Sequence, residues 1–399
     1  MRTIPIVPAS AAVPRDAPSV FKIPPPLALY IHMPWCVRKC PYCDFNSHVA
    51  PDTVPQDAYI DALIADLESA LPLVWGRQLV SIFFGGGTPS LFAPDAIDRL
   101  LAAIRARLPW IPGAEITLEA NPGTIEAGRF AGYRAAGINR LSLGIQSFDP
   151  AKLAALGRIH DGCEARRAAA LAAEHFSSFN LDLMVGLPGQ TLAESALDID
   201  TALSFSPSHL SCYQLTLEPN TRFAAFPPAG LPDPDLCADM QDALEAKLAA
   251  GGYLHYETSA FARPGAQCRH NLNYWLFGDY LGIGAGAHSK LSLPDRVLRQ
   301  MRWKHPQAYL EKATSGQPVQ DEQQIGGEQL PFEFMMNALR LNQGFPAALF
   351  RERTALPLET VLPRLREAAA DGLLQIGDGV IAPTAQGRRF LNRLLERFL

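Results

Sequence analysis

Leu27-Ala28-Leu29-Tyr30-Ile31-His32-Met33-Pro34-Trp35-Cys36-Val37-Arg38-Lys39-Cys40-Pro41-Tyr42-Cys43 is the stretch that decides how this chain is read. Residues 27 to 33 form an apolar run of strand length, and the loop that follows carries three thiols spaced by three and two residues. A loop this tight can wrap three thiolates around one compact inorganic core. A 4Fe-4S cube held by three cysteines leaves one iron open to a small chelating molecule, and open coordination marks a reactive site rather than a structural one. Two other readings stand beside this one. Cys40-Pro41-Tyr42-Cys43 alone is a glutaredoxin type of dithiol, and the same pair with His32 or His48 could make a zinc site. The dithiol reading needs a helix opening at the cysteines, whereas Pro55 delays the first helical pattern; the zinc reading needs a second ligand pair, and none is present.

Outward from this stretch, short apolar runs alternate with amphipathic helices. Strands are expected at 27–33, 79–84, 115–120, 140–146, 178–185 and 210–217. Helices are expected at 56–71, 94–108, 124–136, 149–175 and 191–205, with apolar positions such as Ile97, Leu100, Leu101 and Ile104 at helical spacing. Strict βα alternation implies a parallel sheet with right-handed crossovers, either open or curled into a full or partial barrel. Polar or glycine-rich features sit at the carboxyl ends of successive strands: the Cys loop, Gly85-Gly86-Gly87-Thr88, Glu119, Gln146 and Asp182. That rim is where such sheets bind ligands.

Composition narrows the class. The 399 residues carry 35 Lys and Arg against 40 Asp and Glu, a net charge of −5, and 48% are apolar. This describes a folded chain, excludes collagen, coiled coil and global disorder, and gives no basic surface for nucleic acid. No apolar run reaches bilayer-spanning length and the start lacks a signal-peptide core, so a cytoplasmic protein is expected. Seven cysteines, three of them within eight residues, do not suit a disulfide scaffold. Four segments are expected: a flexible Pro-rich leader at 1–26, a core at 27–220, a linker with an aromatic, Gly-rich extension at 221–300, and a C-terminal helical, winged-helix-like domain at 301–399.

Tyr30 to Cys36 with Cys40 and Cys43, followed one strand later by Gly85-Gly86-Gly87-Thr88-Pro89, resembles the radical S-adenosylmethionine (SAM) superfamily. The similarity is to the branch that holds oxygen-independent coproporphyrinogen III oxidase and the haem chaperones, and it runs from residue 27 to the end. It implies a partial (β/α)6 barrel, and a 4Fe-4S cluster on Cys36, Cys40 and Cys43 whose open iron chelates SAM; cleavage of a carbon–sulfur bond then gives a 5′-deoxyadenosyl radical. It also implies that Tyr30, Gly86 and Glu119 contact SAM, and that Tyr42, Gly87, Thr88, Gln146, Arg158 and Asp182 match positions for a second SAM in the oxidase.

Two departures favour the chaperone branch over the oxidase. Phe45 stands where the oxidase carries a further cysteine, and the leader is short. His270-Asn271-Leu272-Asn273-Tyr274-Trp275 matches a motif proposed for haem contact in the chaperones, which makes His270, Tyr274 and Trp275 the haem candidates, with Cys268 as another iron ligand to consider. The expected partners are haem as cargo, haem-acceptor proteins such as respiratory enzymes, and an electron donor should the cluster be reduced; a homodimer stays open. The alternative function is oxidative decarboxylation of coproporphyrinogen III to protoporphyrinogen IX. Leu281 to His288 brushes against a dinucleotide fingerprint but lacks its βα context, and reads as a tight backbone feature near the barrel.

Overall fold

The computed structural model describes residue 21, residues 23–124 and residues 127–399, so most of the proline-rich leader lies outside the described residues. Six strands pair in parallel in chain order: β1 Leu27–Met33, β2 Leu79–Gly86, β3 Trp110–Ala120, β4 Arg140–Gln146, β5 Phe179–Val185 and β6 His209–Gln214. The crossovers are α1 Gln56–Ala70, α2 Pro94–Arg107, α3 Ala127–Ala136, α4 Pro150–Ala155 with α5 Gly162–His175, and α6 Leu192–Ser204; α7 Pro234–Ala250 follows β6. Antiparallel strands β7 Leu254–Glu257 and β8 Ala260–Ala262 extend the β6 side. On the other side β9 Asp279–Ile283 lies parallel to β1, followed by β10 His288–Ser292, β11 Val297–Arg302 and β12 Val319–Ile325. The order β12-β11-β10-β9-β1-β2-β3-β4-β5-β6-β8-β7 does not close on itself, so the sheet is the expected partial barrel.

Side-chain alternation decides what the sheet encloses. Outward residues such as Ile116, Leu118, Leu141, Leu143, Leu181, Leu183 and Leu210 join one apolar core with the surrounding helices. Inward residues are polar: Glu119 on β3, Arg140 and Ser142 on β4, Asn180 and Asp182 on β5, Ser211 and Tyr213 on β6. A closed eight-stranded barrel fills its centre with branched apolar side chains. Here the period of two puts water-seeking groups in the lumen instead.

Three expectations change. The single helix over 149–175 is two, because Gly157 takes φ +67° and Asp161 caps α5, accepting from the backbone N–H groups of Cys163 and Glu164. The break leaves Arg158 and His160 on a loop at the rim. The aromatic, glycine-rich extension belongs to the core sheet, since it supplies β9 beside β1 at its centre, so the core does not end at 220. The sheet also runs through Ile325, so the boundary drawn at 301 falls inside β11. The last part is a separate apolar cluster around Phe334, Phe345 and Phe350, built on α10 Leu330–Ala338, α11 Ala347–Thr354, α12 Leu362–Ala370 and the hairpin of β13 Leu374–Gly377 with β14 Val380–Pro383. Among the described residues no helix is long and apolar enough to cross a membrane.

One buried ion pair ties the added strands to the barrel. Arg302 on β11 donates through Nε to Asp66 on α1 at 3.1 Å, with both side chains fully buried. Tyr309 and the Gly284 N–H also donate to Asp66, at 2.9 and 3.1 Å. Removing one partner strands the other charge away from water. Asp66→Ala is expected to cost about 3–5 kcal/mol in chemical denaturation. The paired change Asp66→Leu with Arg302→Met is expected to recover most of that loss, and a single variant as stable as the parent would contradict this role.

Candidate functional site

The cysteine loop is pinned at both ends. His48 N–H donates to the Pro34 carbonyl at 2.7 Å and Ala50 N–H to the Cys36 carbonyl at 2.8 Å, so residues 37 to 47 form a closed loop on the end of β1. Asn46 fastens its far side, donating to the carbonyls of Ala285 and Lys304 at 2.9 and 2.8 Å. The glycine stretch after β2 locks in beneath: Gly87 N–H donates to the Met33 carbonyl at 2.7 Å and Thr88 N–H to the Trp35 carbonyl at 2.8 Å. A Cβ on Gly87 would stand 2.6 Å from the Trp35 oxygen, and one on Gly86, at φ +111°, 2.5 Å from the His32 ring. Both glycines are therefore demanded by the packing of the loop itself.

Two cavities meet behind this loop. The one at the rim, about 700 Å³, is lined by Cys36, Cys40, Cys43, Tyr42, Gly86, Gly87, Thr88, Glu119, Gln146, Arg158 and Asp182. The other, about 670 Å³, is the lumen, lined by Tyr30, Gly86, Glu119, Asp182, His270, Tyr274 and Trp275 among others. Every cluster, cofactor and haem candidate thus faces one of two adjoining spaces, Gly86, Glu119, Asp182 and also Phe45 face both, and His48 faces neither. Cys163, Cys212 and Cys237 line neither, and all seven cysteines are unpaired.

The rim residues fit an inorganic core and a charged cofactor. Among the described residues no three His, Cys, Asp or Glu side chains converge as one metal ion would need; the three thiols are spread around a roomy cavity. Burial pushes the Cys36 and Cys43 thiols up, so metal binding there would release protons. His32 is not a free ligand. Its Nε2 faces the Asn46 carbonyl at 2.9 Å and must donate, which leaves Nδ1 to accept from Tyr30 Oη at 3.0 Å. Burial lowers its pKa to about 4, so the ring is neutral. Beside the cysteines, Arg158 donates to the Gly144 carbonyl at 2.8 Å and reaches Cys40 Sγ at 3.6 Å. Its Nε and Gln146 Oε1 are buried without partners, and Gln146 holds φ +68°, a strained value for a residue with a side chain. Donors and acceptors are thus held ready for a zwitterionic ligand.

The lumen adds residues that sequence reading passed over. Asn180 donates to Asp182 at 2.7 Å and to Ser142 at 2.8 Å, while its carbonyl meets His209 Nδ1 at 2.7 Å; His209 Nε2 continues to Tyr256 Oη at 2.8 Å. The signal was present in the chain as polar residues at every second position of β3 to β6, hidden inside runs that scan as apolar. The floor is α8, Arg269–Trp275. Glu115 on β3 accepts from the N–H groups of Arg269 and His270 at 3.2 and 3.1 Å, fixing the helix by its first turn. His270 Nδ1 bonds Ser81 Oγ at 3.1 Å, and its ring packs on Phe83 at 4.9 Å. Ser81 lies five residues before Gly86, about 16 Å of strand, and the His270 ring reaches forward from it to Phe83 and Tyr30. Cys268 is a poor thiolate ligand, since burial pushes its pKa up to about 12.

Glu119 is the most perturbed carboxyl that both cavities share. Burial, and then the neighbouring Asp182 charge, raise its pKa from 4.5 to about 8, against a hydrogen bond from Gly86 N–H at 3.3 Å and the Arg140 charge. The folded chain therefore holds a proton there that the unfolded chain releases above pH 4.5, and stability falls as pH rises through about 8. Glu119→Gln is expected to flatten the decline in melting temperature between pH 4.5 and 8; an identical slope in both proteins would contradict a buried, protonated Glu119.

The residues from 30 to 199 match the family model described as the radical SAM superfamily, and those from 327 to 390 match the HemN C-terminal domain. The chain is 50% identical over 377 residues to the Escherichia coli K12 protein named Heme chaperone HemW, spanning 94% of this chain and 98% of that one. The protein of the same name from Mycobacterium tuberculosis H37Rv is 36% identical over 394 residues, covering 97% and 98% of the two chains. Among solved structures, Escherichia coli coproporphyrinogen III oxidase (HemN), described as a radical SAM enzyme, superposes with a TM-score of 0.79 at 26% identity, covering 94% of this chain and 90% of that one. With this identity held from end to end, the chain belongs to the HemW family of the radical SAM superfamily.

Proposed function

We propose that the chain is a haem chaperone that holds a 4Fe-4S cluster and SAM at the barrel rim, receives haem in the lumen and hands it to haem-requiring proteins such as respiratory enzymes. The observation that carries this reading is the near full-length identity to proteins named haem chaperones. When bound, the cluster supplies a low-potential electron and SAM a cleavable carbon–sulfur bond. Cys36, Cys40 and Cys43 would ligate the cluster. Gly86, Thr88, Gln146 and Arg158 would orient SAM, with Glu119 and Asp182 at the passage between the two cavities. His270 offers Nε2 to iron, its Nδ1 being held by Ser81, while Tyr274 and Trp275 present aromatic faces to the same space.

The fold match to the oxidase keeps one competitor in play, decarboxylation of coproporphyrinogen III. Phe45 supports the chaperone reading against it. The ring is 62% exposed and lines both cavities where the oxidase pattern has a cysteine. An exposed aromatic at that mouth suits contact with a flat apolar cargo or with the acceptor.

Anaerobically reconstituted protein is expected to bind haem stoichiometrically and to leave coproporphyrinogen III unchanged in the presence of SAM and reductant; product formation at enzymatic rates would sink the chaperone reading. Cys36→Ala, Cys40→Ala and Cys43→Ala are each expected to lose the brown absorbance and nearly all iron, with Cys163→Ala and Cys237→Ala matching the parent. Full iron content in the first three would refute the cluster assignment.

A further inference from the structure

Arg140 is the anomaly of the lumen. It opens β4 and is only 3% exposed, yet it lines the cavity. None of its N–H groups finds a hydrogen-bond acceptor among the described residues: Nε is buried and unpartnered, and the one carboxylate oxygen within ion-pair range, on Glu115, stands 3.9 Å away. Glu115 is already engaged by the first turn of α8. A guanidinium stays charged and carries five donors, so burying it with one long ion pair and no hydrogen bond is among the more expensive arrangements a fold can hold. Trp275, which also lines the lumen, has a second buried and unpartnered donor, Nε1, and Thr117, paired with Arg140 across β3–β4 though not itself lining the cavity, has a buried hydroxyl without a partner.

Two of these three groups are pure donors and the hydroxyl can donate, which selects a ligand with acceptor oxygens. The lumen carboxyls do not oppose this. Burial raises the pKa of Glu119 to about 8, so that it is largely protonated at neutral pH, and burial also raises that of Asp182. The cavity, about 670 Å³, falls in the range of about 300–1,000 Å³ that holds small-molecule ligands.

We infer that Arg140 anchors a carboxylate of the cargo at the floor of the lumen, and that this carboxylate is a haem propionate. The assignment rests on the haem-chaperone reading and adds to it a point of attachment and an orientation. The porphyrin plane lies toward α8, where His270, Tyr274 and Trp275 face it, and a propionate reaches the guanidinium, which suits a planar carboxylate in two-point contact. An arginine whose protein partner is a carboxylate at 3.9 Å gains close acceptors only when the acid arrives, so the same residue that anchors the cargo makes the unloaded state less stable.

The test is a Soret titration of the full-length protein, its cluster reconstituted, with haem and with haem dimethyl ester, which keeps the ring and iron but has no free acid. SAM binding is measured in parallel by equilibrium dialysis. The parent is expected to bind haem about 30-fold more tightly than the ester, the size of one charged hydrogen-bonded contact. Arg140→Gln is expected to bind both alike at the ester's affinity, with SAM binding unchanged; Arg140→Lys recovers part of the preference. A residue that served only the fold would destabilise the chain when replaced, whereas the unloaded Arg140→Gln protein is expected to melt at or above the parent's temperature. Equal affinity of the parent for haem and its ester, or haem binding by Arg140→Gln as tight as the parent's, would overturn the anchor while leaving the chaperone reading intact. Loss of SAM binding alone in Arg140→Gln would reassign the carboxylate to SAM and equally overturn it. Absence of haem binding in every protein would overturn both readings.

Discussion

The structure depends on the alternation of side chains along six parallel strands. Apolar residues point outward to the helices and polar ones inward. Low dielectric makes every inward group expensive unless it is bonded or neutral, and the lumen shows each remedy. Asn180 links Asp182, Ser142 and His209 in one network. His32 is fixed as a neutral ring between Tyr30 and Asn46, and Glu119 keeps its proton up to a pKa of about 8. Arg140, which cannot shed its charge, has only the Glu115 carboxylate at 3.9 Å and no hydrogen bond among the described residues.

The same strands give the lumen two different ends. At the carboxyl rim the chain packs glycine against backbone so closely that Gly86 and Gly87 admit no side chain, and a loop of three thiols is held over the opening. At the amino end a two-turn helix is fastened by Glu115 and presents His270 inward. Chemistry that needs a reactive cluster and chemistry that needs a large planar cargo are thereby kept apart, yet joined through one passage bordered by Glu119 and Asp182.

The rim was legible in the sequence because its signals are local. Three cysteines in eight residues, a glycine run after a strand, and Glu119, Gln146 and Asp182 at strand ends can be read without knowing which strands touch. The polar network of the lumen was not, for two physical reasons. Arg140, Ser142, Asn180 and Ser211 sit within runs whose outward neighbours dominate any average of hydropathy, so only the two-residue period reveals them. The place of β9 depends on a contact across some 250 residues, made by glycines such as Gly284 that let the chain pass close to His32. Arg158 illustrates a third case: the residue was named, but its loop was taken for helix until Gly157 and Asp161 showed where the helix breaks.

A chain that carries haem and a chain that decarboxylates a porphyrinogen can share this whole scaffold; the distinction lies in what the lumen holds and for how long. Two iron centres are proposed toward opposite ends of one space, the cluster beside Cys36, Cys40 and Cys43 and the haem near His270 and Arg140. Anomalous diffraction at the iron edge, from anaerobic crystals of the reconstituted protein loaded with haem, locates both directly. The account predicts two peaks, one at the cysteine loop and one inside the barrel within coordination distance of the His270 ring. A haem-iron peak on the outer surface, or density in the lumen that leaves Arg140 unengaged, would contradict it.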